Sequence, residues 1–206
     1  MNPGELLERS LAYALGGVAA VPRADLGRPT PCAEWDLGEL LQHLDDSLDA
    51  LHEGVSEGRV GLCPAVPAAD PVCAFRARAG ALLGAWAAVS AAPPDPAVSA
   101  APPAPAVGDR CLDLGLLAAV GALEIAVHGW DVTQACGRPR PIPAALAADL
   151  LPLAAVVVAD ADRGVRFADP VAVPAGAGPG DVLLAFLGRG PGHDSFPGRR
   201  RSVFRE

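Results

Sequence analysis

The chain has 206 residues, 51% of them hydrophobic, enough for one compact domain with a real core and too few for two full ones. Aromatics make up only 4%, so the core is expected to be close-packed helices built from Ala, Leu and Val. A net charge of −8 and a pI near 4.9 argue against nucleic acid and anionic membrane as partners.

In chain order, Asn2 can cap a first helix with Pro3 at its opening position, and Leu7, Leu11, Leu15 and Val18 continue its apolar face. Gly16 and Gly17 predict a soft end. The second helix is the clearest: Asp36 and Glu39 form a capping-box pair, and Leu37, Leu40, Leu41, Leu44, Leu48 and Leu51 make one stripe as far as about Glu57. A third helix begins at Asp70 and Pro71, with Val72, Phe75, Ala79, Leu82, Trp86 and Val89 spaced like a bundle seam that packs internally or across a homodimer. The Ala/Pro-rich stretch from Ala91 to Gly108 reads as a long crossover loop.

The fourth helix is expected from about Cys111 to Cys136, stopped by Gly137 and apolar nearly all the way round. Pro143 opens a fifth, reaching about Asp160 and bent or interrupted at Pro152. Val165 to Val173 and Asp181 to Leu187 read as extended segments and a short helix wrapping the bundle. The fold class predicted is therefore all-α, one four-helix bundle domain over residues 1–206, with its core over about 1–162 and a C-terminal extension over 163–206.

All 16 basic residues are Arg, which reads as the coding bias of a GC-rich bacterial genome. The run Arg199 to Arg201 sits in a Gly/Pro-rich tail and reads as a solvated terminus. Five scattered cysteines (Cys32, Cys63, Cys73, Cys111, Cys136) without a CxxC pair argue against a disulfide framework or a Cys-type zinc site. No leader pattern opens the chain, and the nearest approach to a membrane span is Leu114 to Val127, so a cytoplasmic location is expected.

Chemistry concentrates on the fourth helix. Residues 124, 128 and 131 share one helical face, which places Glu, His and Asp inside an otherwise apolar element. Burying a carboxylate costs several kcal/mol unless a cation meets it. Arg110 and Arg138 lie beyond the helix ends, so the cation comes from another helix, with Arg76 and Arg78 as candidates, or is a metal ion. Glu124 and His128, one turn apart, can reach one ion; a third ligand would be His43, His52 or His193, and periodicity does not separate His43 from His52. Asp131 is either a carboxylate that orients a ligand or a solvent-facing residue. Trp35 and Trp130 read as packing residues and Cys32 as a buried inert thiol.

The segments TPCAEWDLGELLQHL (Thr30 to Leu44) and EIAVHGWDVTQACG (Glu124 to Gly137) resemble the two signature regions of the DinB-like superfamily, in its mycothiol-dependent maleylpyruvate isomerase N-terminal branch. The ending FADPVAVPAGAGPGDVLLAFLGRGP (Phe167 to Pro191) is similar to that of short actinobacterial members. The resemblance implies a DinB-like four-helix bundle holding a divalent metal, zinc foremost and nickel next, through His43, Glu124 and His128. It also implies mycothiol, a low-molecular-weight thiol, as cosubstrate in a transferase or isomerase acting on a small electrophile. The longer maleylpyruvate isomerases add a C-terminal domain that supplies substrate contacts, for which 206 residues leave no room; a substrate other than maleylpyruvate is expected. Two other readings are a metal-stabilised small-molecule-binding protein without catalysis, and a metal-free helical protein with Glu124 paired to Arg.

Overall fold

The computed structural model describes residues 2–32, 35–61, 66–91, 106–107, 110–111, 113–164 and 166–190. Helix α1 (Pro3–Val18) opens as predicted, with the Asn2 side chain accepting from the Gly4 amide. It ends at Val18, one residue past Gly16 and Gly17, and the pair serves close packing: a Cβ on Gly17 would stand 2.8 Å from the Thr133 methyl. Helix α2 (Leu37–Ser56) has the full capping box between Asp36 and Glu39, and its leucine stripe is buried from end to end.

Helix α3 (Pro71–Ala91) starts under the Asp70 side chain, which accepts from the Cys73 amide. Its seam faces inward at Phe75, Ala79 and Leu82, is half-buried at Val72 and Trp86, and emerges at Val89. Among the described residues the connections form short two-residue strands: β1 (Arg59–Val60) pairs in parallel with β2 (Ala106–Val107), which pairs antiparallel with β3 (Arg110–Cys111). That ladder moves the start of helix α4 (Leu114–Ala135) three residues past the predicted Cys111. Backbone groups at 110 and 111 serve the ladder, and Asp113 caps the helix by accepting from the Leu116 amide.

Helix α4 ends in a Schellman turn, with Gly137 at φ +64° and the Arg138 amide on the Thr133 carbonyl. Helix α5 (Ala144–Val157) runs through Pro152 without a break and stops before the predicted Asp160, because Val158 turns extended and Asp160–Asp162 forms a separate 3-10 turn. Helix α6 (Pro179–Phe186) is the short C-terminal helix. Most of the predicted crossover, Cys63, His193 and Arg199 to Arg201 lie outside the described residues.

Round the bundle the neighbours run α1, α4, α2, α3, with α5 against α4 and α1, and α6 against α5. Among the described residues one apolar core joins helices α1 to α6, and α4 has the largest buried share of side chains. By length and composition alone both α3 and α4 are apolar enough to cross a membrane, and the sequence reading singled out only Leu114 to Val127 because Arg76 and Arg78 interrupt α3. The most apolar stretch of α4 is 61% buried inside the bundle, as a core helix is. Alanine and glycine let the neighbours approach: a Cβ on Gly129 would lie 3.0 Å from that of Ala14.

Candidate metal centre

Adjacent helices α2 and α4 bring His43, Glu124 and His128 together. His43 lies in the second turn of α2, fixed in rotation by the buried leucines on either side, and Glu124 and His128 occupy successive turns of α4. Nε2 of His43 stands 2.6 Å from Glu124 Oε1, and Nε2 of His128 stands 3.3 Å from the same oxygen. The three donor atoms lie within 4.8 Å of one another. Two imidazoles and a carboxylate at that spacing are the ligand chemistry of a borderline divalent cation, so these residues could hold one.

His52, left open beside His43 by periodicity, is half-buried nine residues further along α2 and is not part of this cluster. Arg76 is exposed, and Arg78 joins Asp45 at 2.8 Å and also Asp49, so neither supplies the cation for Glu124. Asp131 is fully buried, and its Oδ2 lies 2.9 Å from His128 Nδ1, the position of an orienting carboxylate and not of a surface residue. The Trp35 ring lies against His43, centroids 4.4 Å apart, and 5.9 Å from His128. The Thr30 hydroxyl, between the carbonyls of Cys32 and Trp35, holds the turn that carries this indole. Cys32 is half-buried, not buried as expected, and it lies close to Arg189.

The electrostatics follow from this crowding. Burial pushes the Glu124 carboxyl upward, but hydrogen bonds from His128 and His43 outweigh it and hold the group well below the usual carboxylate range. Glu124 is 36% exposed at its side chain, so the cluster has one open side. Burial pulls His128 down, but Asp131 and Glu124 on its two nitrogens raise it to about 9.

One residue of the site was missed in the sequence. Arg189, just beyond α6, donates to both oxygens of Asp131, Nε to Oδ1 at 2.9 Å and Nη2 to Oδ2 at 2.7 Å. A signal was present: a carboxylate at position 131 in an apolar helix needs a cation, and Arg189 is a lone charge closing an apolar helix. The other face of Arg189 lines an open cleft of about 190 Å³ with Trp130, Gln134, Arg140 and Leu184.

Comparison with known proteins fits this architecture. The family described as mycothiol maleylpyruvate isomerase N-terminal domain matches residues 7–133, which contain His43, Glu124, His128 and Asp131. Two uncharacterized proteins of Mycobacterium tuberculosis, MT0763 of strain CDC 1551 and Rv0738 of strain H37Rv, are each 32% identical over 182 residues, covering 85% of this chain and 92% of their own. No solved structure matches the chain. The chain belongs to the mycothiol maleylpyruvate isomerase N-terminal domain family, a DinB-like family of helical bundles.

Proposed function

We propose that His43, Glu124 and His128 bind one divalent metal ion, zinc foremost and nickel as the alternative, and that the protein is a thiol-dependent transferase or isomerase acting on a small electrophile. The single observation that carries this is the convergence of two imidazoles from different helices on one oxygen of Glu124. Membership of a mycothiol-related family supports mycothiol as the thiol.

The donor set fits the ion: two imidazoles and a carboxylate at a bundle interior, with the second nitrogen of His128 already engaged by Asp131. A divalent ion held there supplies Lewis acidity that favours thiolate over thiol at neutral pH. The protein's own groups do the rest. Three side chains leave room for exogenous ligands on the open side of Glu124, the Asp131 carboxylate fixes the ring of His128, and the Trp35 indole shields one face of His43 from water. The scattered cysteines, without a CxxC pair, agree with a reducing, cytoplasmic place of action.

Elemental analysis of protein purified without chelators or a metal-affinity tag tests the first half. About one metal per chain is expected for the wild type, and a large loss for His128→Ala; metal content near zero in both overturns the reading. For the second half, zinc-loaded wild type with mycothiol and a generic electrophile should exceed His128→Ala in rate. Equal rates overturn the catalytic reading and leave a metal-binding protein that does not turn over this thiol.

A further inference from the structure

Arg189 lies 58 residues beyond Asp131 and outside the stretch that the family matches, yet it is built into the same cluster. Its side chain is only 12% exposed, against 0% for Asp131, and the pair is a two-point fork on a fully buried carboxylate. Oδ2 of Asp131 is shared: it meets Arg189 Nη2 at 2.7 Å and His128 Nδ1 at 2.9 Å. An unbroken chain of contacts therefore runs from the C-terminal segment to Nε2 of His128, the atom that faces Glu124.

The backbone is shaped to deliver this side chain. Helix α6 ends in a Schellman turn: Gly188 has φ +79°, its amide bonds the Ala185 carbonyl at 3.0 Å, and the Arg189 amide bonds the Leu184 carbonyl at 2.8 Å. A Cβ at Gly188 would lie 2.5 Å from that of Ala168, so the turn also presses onto the preceding segment. That segment is tied in turn by Arg163, which donates to the carbonyls of Ala168 and Phe186, and by the Val171 amide on the Ala185 carbonyl.

We propose that Arg189 is a positioning residue of the metal centre, holding Asp131 so that His128 presents Nε2, and that docking of the 163–190 segment and metal binding are thereby coupled. The inference rests on the metal-binding reading given above. It assigns the C-terminal segment a part in the site: the bundle supplies the three ligands, and the segment supplies the cation that keeps the orienting carboxylate in place. Removing the guanidinium takes away two of the three contacts that fix the Asp131 carboxylate and frees it to rotate. Losing a group that orients a ligand in this way typically weakens metal binding about 10–100-fold.

Zinc competition titration against a chromophoric chelator, on the full chain, tests the proposal with wild type, Arg189→Met, Arg189→Lys, Asp131→Asn and the Arg189→Met/Asp131→Asn double variant. Arg189→Met is expected to weaken zinc about tenfold or more, and Arg189→Lys less, since an ammonium lacks the fork. The double variant should bind about as weakly as the worse single one, because Arg189 acts through Asp131. Zinc should also slow proteolytic cleavage between residues 163 and 190 in the wild type, because coupling is reciprocal.

Wild-type affinity in Arg189→Met, losses that multiply in the double variant, or cleavage indifferent to zinc would overturn the proposal. If circular dichroism shows Arg189→Met unfolded, a folded Arg189→Lys decides: weaker zinc binding supports the role, and undiminished binding overturns it. A wild type that binds no zinc overturns the metal reading and this inference together, whereas an indifferent Arg189→Met beside a zinc-binding wild type overturns this inference alone.

Discussion

At the scale of single residues, His128 sits between two carboxylates, and if it binds the proposed metal that position makes proton and metal competitors for one nitrogen. Its folded value of about 9 lies above the ordinary 6.5, so in the metal-free protein the protonated ring stabilises the fold. That contribution is fully present below about pH 6.5 and is lost as pH rises through about 9. Thermal melting of metal-free protein should therefore show a fall across that window, and His128→Asn should remove it. On the proposed reading metal uptake would expel the same proton, so apparent zinc affinity should climb about tenfold per pH unit from about 6.5 toward 9. A pH-independent affinity would mean that His128 is not a ligand. Packing sets a second limit at this scale. A methyl at Gly129, 3.0 Å from Ala14, should destabilise Gly129→Ala by about 1–3 kcal/mol, read in a denaturant melt.

Among the elements, α2 was legible in the sequence because every local signal agrees: the cap, the capping-box Glu and a leucine stripe of unbroken period. Asp36→Ala should cost about 1 kcal/mol and lower the melting temperature by about 2–4 °C, while zinc affinity should stay unchanged because His43 lies nearly two turns beyond the cap. The choice between His43 and His52 was not legible in periodicity, since each borders the stripe, and only the position of α4 along α2 separates them. The start of α4 was misplaced because apolar residues continue upstream of Asp113, and nothing local announces that 110 and 111 pair with a strand. The packing role of Gly16 and Gly17 was hidden for a related reason: a glycine's conformational cost is visible in sequence, but the neighbour it admits is not. Arg189 escaped because its partner is 58 residues away and no periodicity links them.

For the whole molecule, the order α1, α4, α2, α3 makes the two helices that carry the His/Glu cluster neighbours, while the wrapping segment reaches α4 from the far end of the chain. A metal held between α2 and α4 as proposed would tie the bundle together only in the folded state, and so would add stability by mass action. Free zinc at about 100 times its dissociation constant should add about 2.7 kcal/mol, or roughly 5–10 °C in a melt. The shift should disappear in His43→Ala, and a wild type that melts at one temperature with or without zinc would contradict the site. Most of this architecture was readable because helix periodicity and caps are local. The charge chain through Asp131 was not, because it exists only after distant segments meet.

The indole that leans on His43 gives the protein a built-in optical probe. Of its three tryptophans, Trp86 lies on α3 and Trp130 near the cleft, so Trp35 alone is stacked on a ring of the cluster. With Trp86 and Trp130 replaced by Phe, the remaining fluorescence would report directly on whether the imidazole beside it is free, charged or engaged. Occupancy could then be followed in a cuvette without any added dye.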